Sequence, residues 1–331
     1  MPAIQPKALI EAIANAIVDS GYTGQIASSI REHPRRFAVA GPNAPATLTV
    51  YAWTLTFGGR PSLPDEYRIQ MTSVSSPLKI ATDGPTILIG YEPDLNLFAG
   101  FDLERHRTFT TGSPSVQIDR KELARAETEG LIFHRKSNDE IAVGFRPDML
   151  MAYAINALTL HKYGRDAQMF RLMNEAVQAP PQEVQLVDLP AERQRVVREV
   201  SRLTRAADFR QRVLFAYGNR CAVTRVQLRL VDAAHILPVG SPRSSDNVRN
   251  GLALSPTYHR AFDAGLIYLD EQFRMKINPP QLTMLETLNL AGGIDSFRSR
   301  LGERIFLPPD PQQRPSLDYI RRANRFRQIA T

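Results

Sequence analysis

The chain of 331 residues contains one cysteine, Cys221, and one tryptophan, Trp53. A single cysteine excludes an internal disulfide and any zinc cluster built from several cysteines. The sequence has no run of about 18 apolar residues, so it predicts no transmembrane helix and no membrane partner. Residues 1–21 lack the basic start and the continuous apolar stretch of a secretion signal, and we therefore expect a cytoplasmic protein.

Lysine is almost absent from the C-terminal part of the chain, which is nevertheless strongly basic. Residues 193–331 contain 23 Lys and Arg against 12 Asp and Glu, and Lys276 is the one lysine among them. Residues 1–192 contain 18 against 22. Because arginine binds phosphate through a planar pair of donors and stacks on bases, this asymmetry predicts a nucleic-acid partner for the C-terminal part. An inert basic surface is the alternative.

Hydrophobic periodicity predicts an N-terminal α+β domain with a mixed or antiparallel sheet. Helical spacing is found over residues 7–21, 24–33, 119–130, 147–164 and 166–178. Alternating or apolar runs between turn residues predict strands over 36–41, 47–57, 66–74, 86–92 and 96–103, and a hairpin over 130–147. The fold class predicted for this part is a mixed α/β-sheet recognition domain.

A change in composition divides the chain into two predicted domains. Residues 178–192 are proline-rich and acidic with no sustained period, which predicts a linker between domains at 1–177 and 193–331. The second domain begins with a predicted helix that carries seven arginines up to residue 212. Their density favours phosphate contact over a helix face that is only solvated.

Two of the six histidines lie in one short window that also contains candidate metal ligands. His235 ends an apolar stretch that predicts a strand, and residues 251–254, GLAL, predict a second strand. Ser255 and Pro256 are typical of a helix start, so His259 and Asp263, four residues apart, share one face of the helix that follows.

This arrangement fits the hydrolysis of a phosphodiester bond. Histidine accepts a proton at neutral pH, and a divalent metal ion stabilises the charge that develops on the phosphate and on the leaving oxygen. The sequence therefore predicts a strand–loop–strand–helix, or ββα, unit with a histidine base and a metal site.

The ordered set CAVT, AAHILP, DNVRNGLAL and HRAFDAGL resembles the HNH endonuclease family, the ββα-metal nucleases, in its restriction-type members. The resemblance covers about residues 205–320 and implies an HNH nuclease domain with flanking helices. It implies that His235 is the general base and that Asn250 fixes the loop holding this base. It also implies that His259 and Asp263 are metal ligands for Mg²⁺, with Mn²⁺ or another transition metal as alternatives.

Three features depart from this family pattern. Ala234 precedes His235 where many members have a further ligand, and Tyr258 stands where many have a second helix histidine. Asp232 is a weaker ligand candidate, because strand alternation places it on the face opposite to His235. The zinc knuckle of some members is absent, and we expect an apolar core to replace it around Val223, Leu228, Leu230 and Ile236.

The substrate predicted from the motif is double-stranded DNA. The candidate DNA contacts are the arginines nearest to the motif, Arg210, Arg212, Arg220, Arg249 and Arg260. Because one such site cuts one strand, a double-strand break predicts a homodimer.

The role of residues 1–177 stays open between several possibilities. A basic cluster at 31–36 and the aromatic residues Tyr51, Trp53, Tyr67, Tyr91, Phe98 and Phe101 could read a flipped, modified cytosine, or the aromatics could be core. The domain order resembles restriction enzymes, including those that cut methylated or hydroxymethylated DNA, and predicts a restriction or phage-defence nuclease. The alternatives are a nuclease activated by a nucleotide signal bound to the first domain, and a non-catalytic DNA-binding protein with a decayed site.

Overall fold

The computed structural model describes residues 2–41, 44–110, 114–178 and 189–329. These residues form two compact units, Met1–Ala207 and Asp208–Thr331. Residues 179–188 of the predicted linker 178–192 lie outside the described residues, and the domain boundaries at 177 and 193 stay a prediction. Within the described ranges, no helix combines the length and the apolar character that a membrane crossing requires.

The first unit alternates between helices and strands along the chain. Its helices are α1 (Pro6–Asp19), α2 (Leu103–His106), α3 (Arg120–Glu129), α4 (Leu150–Gly164), α5 (Ala167–Gln178) and α6 (Ala191–Ala216), whose last residues belong to the second unit. Its strands are β1 (Thr23–Ile26), β2 (Arg35–Ala40), β3 (Thr47–Thr54), β4 (Thr56–Phe57), β5 (Glu66–Gln70), β6 (Thr86–Glu92), β7 (Leu97–Phe101), β8 (Ser115–Asp119), β9 (Leu131–Arg135) and β10 (Ile141–Phe145).

A seven-stranded sheet is the centre of the first unit, with the strand order β1-β2-β3-β6-β7-β10-β9. The pair β3 and β6 is parallel, with Val50 opposite Ile87, and the other neighbours are antiparallel. A second sheet of three strands has the order β4-β5-β8. The mixed α+β class predicted from the sequence is therefore confirmed.

Both faces of the seven-stranded sheet are covered. Val50 and Ile89 point to a core shared with α1, α4, α5 and the beginning of α6. Tyr51 and Leu88, their neighbours in sequence, point to a second core shared with β5, β8 and α3. Strands buried on both faces read as nearly continuous apolar runs, which is why the sequence predicted them well.

Two elements of the first unit differ from the predictions. The helix predicted over 24–33 is wrong, because β1 (Thr23–Ile26) pairs there with β2. Gly24 packs so closely on Ile17 of α1 that an added Cβ would lie 2.7 Å from the Ile17 side chain. Strand β8 was not predicted, because only Val116 and Ile118 of its five residues are apolar and buried.

The second unit is built around a short hairpin followed by a helix. Strand β11 (Asp232–His235) pairs antiparallel with β12 (Gly251–Leu254), and His235 lies opposite Gly251. Helix α7 (Pro256–Asp263) follows at once and packs on both strands. The remaining elements are β13 (Ile267–Leu269), β14 (Met275–Ile277), α8 (Pro279–Thr287), α9 (Ile294–Arg298) and α10 (Leu317–Phe326).

The core of the second unit differs from the expected one at two positions. Val223 and Ile236 are buried as expected, but the side chains of Leu228 and Leu230 are 78% and 52% exposed. That part of the expectation is wrong. Residues from distant parts of the chain fill the core instead, among them Phe209, Val213, Phe262 and Ile320.

The close approach of Gly100 to Tyr153 predicts a strong effect of Gly100→Ala on stability. The added Cβ would lie 2.0 Å from the Tyr153 ring, which is fully buried and stacked on Phe145 at 4.6 Å. We expect the free energy of unfolding to fall by about 1–3 kcal/mol, the usual cost of overpacking. Urea unfolding followed by the fluorescence of Trp53 reports on this unit.

Gly240→Ala is the control for this prediction, because the added Cβ would meet no atom within 4 Å. Equal urea midpoints for the Gly100 variant and the control would contradict the packing described here.

Candidate active site

His235 lies at the end of β11 and is held by two neighbours. Its ring stacks on Phe209 with centroids 3.7 Å apart and planes 13° apart. Its Nε2 atom is 2.9 Å from Oδ1 of Asp246. Because an ionised carboxylate only accepts hydrogen bonds, this contact places the proton of the neutral imidazole on Nε2. The lone pair is then on Nδ1, which is the nitrogen able to accept a proton.

Asn250 is fully buried and forms a set of hydrogen bonds across the loop that follows His235. Its Oδ1 accepts a bond of 2.8 Å from the main-chain N–H of Leu237. Its Nδ2 donates to the carbonyl oxygens of Leu237 and Ser245 and to Oγ of Ser244, at 3.2, 2.9 and 3.3 Å. The side chain therefore fixes both ends of the loop that connects His235 with Asp246.

His259 and Asp263 lie on the same face of α7, as their spacing predicted. The Nε2 atom of His259 is 3.3 Å from Oδ2 of Asp263. The hydrogen bond to Asp263 raises the pKa of His259, and the charges of Asp263 and Asp232 act in the same direction, while burial opposes them. Asp232 itself pairs with Arg210 at 3.1 Å.

The donor set of His259 and Asp263 fits a divalent cation. One imidazole and one carboxylate side by side are ligands that Mg²⁺ or Mn²⁺ accepts, with water in the other positions. Among the residues that the structure describes, no group of three or more His, Cys, Asp or Glu side chains is placed to hold a metal ion. The described part of the chain therefore brings these two candidate ligands together without a third.

The five candidate DNA-binding arginines fall into two groups. Arg210 contacts Asp232, and Arg212 donates 3.0 Å to the main-chain oxygen of Asp246. These two arginines therefore support the acidic groups and the loop of the site itself. The other three lie exposed on the surface of the second unit, at Arg220, Arg249 and Arg260.

Three contributors to the site were not among the site residues predicted from the sequence, although one of them, Asp246, is the first residue of the DNVRNGLAL motif. Phe209 and Asp246 contact His235 directly, as described above. Arg327, just after α10, donates 2.9 Å to the carbonyl oxygen of Ile236 and lies 4.5 Å from the centre of the Phe262 ring. The charge of Asp263 also acts on this guanidinium. No spacing in the sequence links residue 327 to residue 236, so only the fold could reveal this contact.

Tyr258, which replaces a second helix histidine, has a packing role. Its ring stacks on Phe297 with centroids 5.2 Å apart, and its hydroxyl donates 3.2 Å to the Phe297 carbonyl oxygen. The side chain is buried. At the position where many members of the family have a histidine, Tyr258 therefore forms a contact between α7 and α9.

A family model described as HNH endonuclease matches residues 221–270, the segment that contains β11, β12 and α7. Residues 221–270 are an HNH endonuclease domain. The chain is therefore an enzyme that hydrolyses phosphodiester bonds of DNA. A second family model, described as Methylase-associated X1, matches residues 46–154 of the first unit.

A solved structure described as a modification-dependent TagI restriction endonuclease also resembles the chain. It is 16% identical, and the match covers 85% of this chain and 81% of that chain with a TM-score of 0.30. That score is too low to support an argument about the fold. No curated protein matches the chain.

The contact between His235 and Asp246 predicts a loss of activity in Asp246→Asn. The neutral amide no longer fixes the proton on Nε2, so the imidazole becomes a weaker and less well oriented base. We expect the cleavage rate to fall by about 10- to 100-fold while the melting temperature changes little.

Asp295→Asn is a matched control, since Asp295 is an exposed residue on α9 paired with Arg298. If both variants cleave DNA at the wild-type rate, Asp246 has no part in the reaction.

The raised pKa of His259 predicts how the second unit responds to pH. The bond to Asp263 stabilises the folded unit fully below the unfolded histidine pKa near 6.5. This stabilisation is lost as the pH rises through the folded pKa, where the imidazole becomes neutral. In Asp263→Asn the pKa of His259 should fall, because burial then acts without the carboxylate. An NMR titration of the His259 ring protons measures both values, and an unchanged pKa in the variant would refute the assignment.

Proposed function

We propose that the protein is an endonuclease of a restriction system that cuts double-stranded DNA, with the first unit supplying specificity. The observation that carries this proposal is that the HNH domain contains two paired sets of side chains, His235 with Asp246 and His259 with Asp263. One pair provides a proton acceptor and the other provides metal ligands.

The proposed general base is Nδ1 of His235. The Asp246 carboxylate holds the other nitrogen protonated, and it stabilises the positive imidazolium that forms when Nδ1 takes a proton from the attacking water. Phe209 fixes the plane of the ring from one side. Asn250 keeps the loop between the base and Asp246 in one conformation, so that the base does not need to reorganise during the reaction.

His259 and Asp263 would hold the divalent cation in this proposal. When bound, such an ion supplies positive charge for the phosphate and for the leaving 3′ oxygen. The exposed Arg220, Arg249 and Arg260 would contact the DNA backbone. The products would have 5′ phosphate and 3′ hydroxyl ends. Since each site cuts one strand, we expect a homodimer to make a double-strand break.

The family of the first unit supports a restriction role. Its matched model is described as methylase-associated, and a DNA methylase beside a nuclease is the usual arrangement of a restriction system. Of the six candidate base-reading aromatics, Tyr51, Tyr91, Phe98 and Phe101 are buried core residues. Trp53 and Tyr67 are half-buried, and Trp53 stacks on His33 at 4.2 Å, so these two remain candidates for stacking on a base.

Two cavities of the first unit differ in how well they suit a nucleotide signal. One, of about 290 Å³, is largely apolar and has Asp102 and Glu104 but no lysine or arginine in its lining, so it repels a phosphate group. A larger one, of about 520 Å³, has Arg135 and Lys136 in its lining, so a nucleotide signal stays the alternative. The presence of His235, Asn250, His259 and Asp263 disfavours a decayed site.

Plasmid cleavage tests the proposed function. The purified protein is incubated with Mg²⁺ or Mn²⁺ and two plasmid preparations, one unmodified and one carrying methylated or hydroxymethylated cytosine. We expect cutting of at least one preparation. His235→Ala should abolish cutting and retain DNA binding, and Thr283→Ala, an exposed change on α8, should cut like wild type.

The pattern of cutting decides what the first unit reads. Cutting of the modified plasmid alone makes this unit a reader of modified bases, whereas cutting of the unmodified plasmid at fixed positions makes it a sequence reader. If neither plasmid is cut, or if His235→Ala still cuts, the proposal is wrong.

A further inference from the structure

Residues 225–230, with the sequence RVQLRL, form an exposed loop that the mechanism does not use. Val226, Leu228 and Leu230 are 39%, 78% and 52% exposed, and Arg225 and Arg229 alternate with them. Scattered exposed leucines are common on protein surfaces, but apolar side chains that are exposed together mark interaction sites. This segment, which we call the 225–230 loop, exposes apolar side chains and positive charges together.

The backbone of the 225–230 loop is held in an unfavourable conformation. Arg225, Leu228 and Arg229 have φ angles of 61°, 43° and 53°. A bulky residue such as leucine rarely adopts a positive φ, and such strain is found mainly at functional sites. The main-chain N–H groups of Cys221 and Leu230 donate to the carbonyl oxygens of Val226 and Gln227, at 2.9 and 2.8 Å, and close the loop. Leu228 therefore points outward from a fixed framework.

The position of the loop in the chain limits its distance from the proposed reaction centre. Leu228 precedes His235 by seven residues, which span at most about 25 Å of extended chain. DNA rises by about 3.4 Å per base pair. When the bond to be cut lies at His235, Leu228 is therefore within at most about seven base pairs of that bond along the duplex.

The chemistry of the loop suits DNA better than a protein surface. Arg225 lies 4.9 Å over the ring of Phe306, which is itself 51% exposed. Positive side chains that flank an exposed apolar residue match the alternation of phosphates and base steps along a groove. Proteins that kink DNA insert such an apolar side chain between base pairs and neutralise the adjacent phosphates with arginine.

We propose that the 225–230 loop is a DNA wedge. Leu228 enters between two adjacent base pairs and unstacks them, and Arg225 and Arg229 contact phosphates on either side. The unstacked step bends the duplex near the bond that is cut. This inference rests on the proposed function in one respect, which is that duplex DNA is the substrate.

Fluorescence of 2-aminopurine tests the wedge directly, because this base brightens when it loses its stacking neighbours. The probe is a duplex of about 30 base pairs, or three helical turns, with 2-aminopurine at every third base pair. It is made with unmodified and with methylated cytosine. The protein carries His235→Ala, and the buffer contains no divalent ion, so no cutting interferes. We expect the fluorescence of at least one duplex to rise severalfold on binding.

Adding Leu228→Ala should return the fluorescence to that of free DNA and weaken binding by about tenfold, because the apolar contact of the leucine side chain with the bases is lost. Leu288→Ala is the matched control, because Leu288 is 57% exposed on the same unit but lies after α8. The control should brighten the probe like the parent protein.

The variant Leu228→Gly distinguishes an effect on folding from an effect on DNA contact. Glycine adopts a positive φ without strain, so this variant should keep or raise the melting temperature while losing the fluorescence signal. A parent protein that binds without brightening the probe overturns the wedge, and so does a signal that survives in both Leu228 variants. The fluorescence measurement needs no cleavage. A wild-type protein that does not cut DNA would therefore refute the proposed function, while the outcome of the fluorescence test would be unaffected.

Discussion

The buried side chain of Asn250 is the constraint on which the arrangement of the nuclease site depends. Its four hydrogen bonds connect the beginning of β12 with Leu237, Ser244 and Ser245, at both ends of the loop after His235. Losing the amide would leave the buried N–H of Leu237 without the acceptor that Asn250 provides, at a cost of about 1–3 kcal/mol. Asp246 follows Ser245 directly, so the same bonds set the distance between His235 and its carboxylate.

Charge balance around the hairpin follows from this framework. The second unit contains 18 Lys and Arg against 11 Asp and Glu, yet the acids of the site each have a positive neighbour. Asp232 pairs with Arg210, and Asp263 pairs with His259. The charge of Asp263 also acts on the guanidinium of Arg327.

The first unit is built on a different principle. Its seven-stranded sheet has cores on both faces, and four of the six aromatic residues considered for base reading are part of them. A sheet covered on both faces cannot present its surface to DNA. The recognition proposed for this unit would use side chains that keep part of their surface accessible, such as His33 and Trp53.

Local patterns in the sequence determined the α+β class, most strands, and the shared face of His259 and Asp263, because these features depend on neighbours a few residues apart. Contacts between distant segments were decided by the tertiary structure alone. Asp246, Phe209 and Arg327 reach His235 and Ile236 only after α6, the loop and α10 have packed together. The same physical reason explains the two errors. Gly24 lies in a strand because β2 and α1 are beside it, and Leu228 is exposed because more distant side chains fill the core.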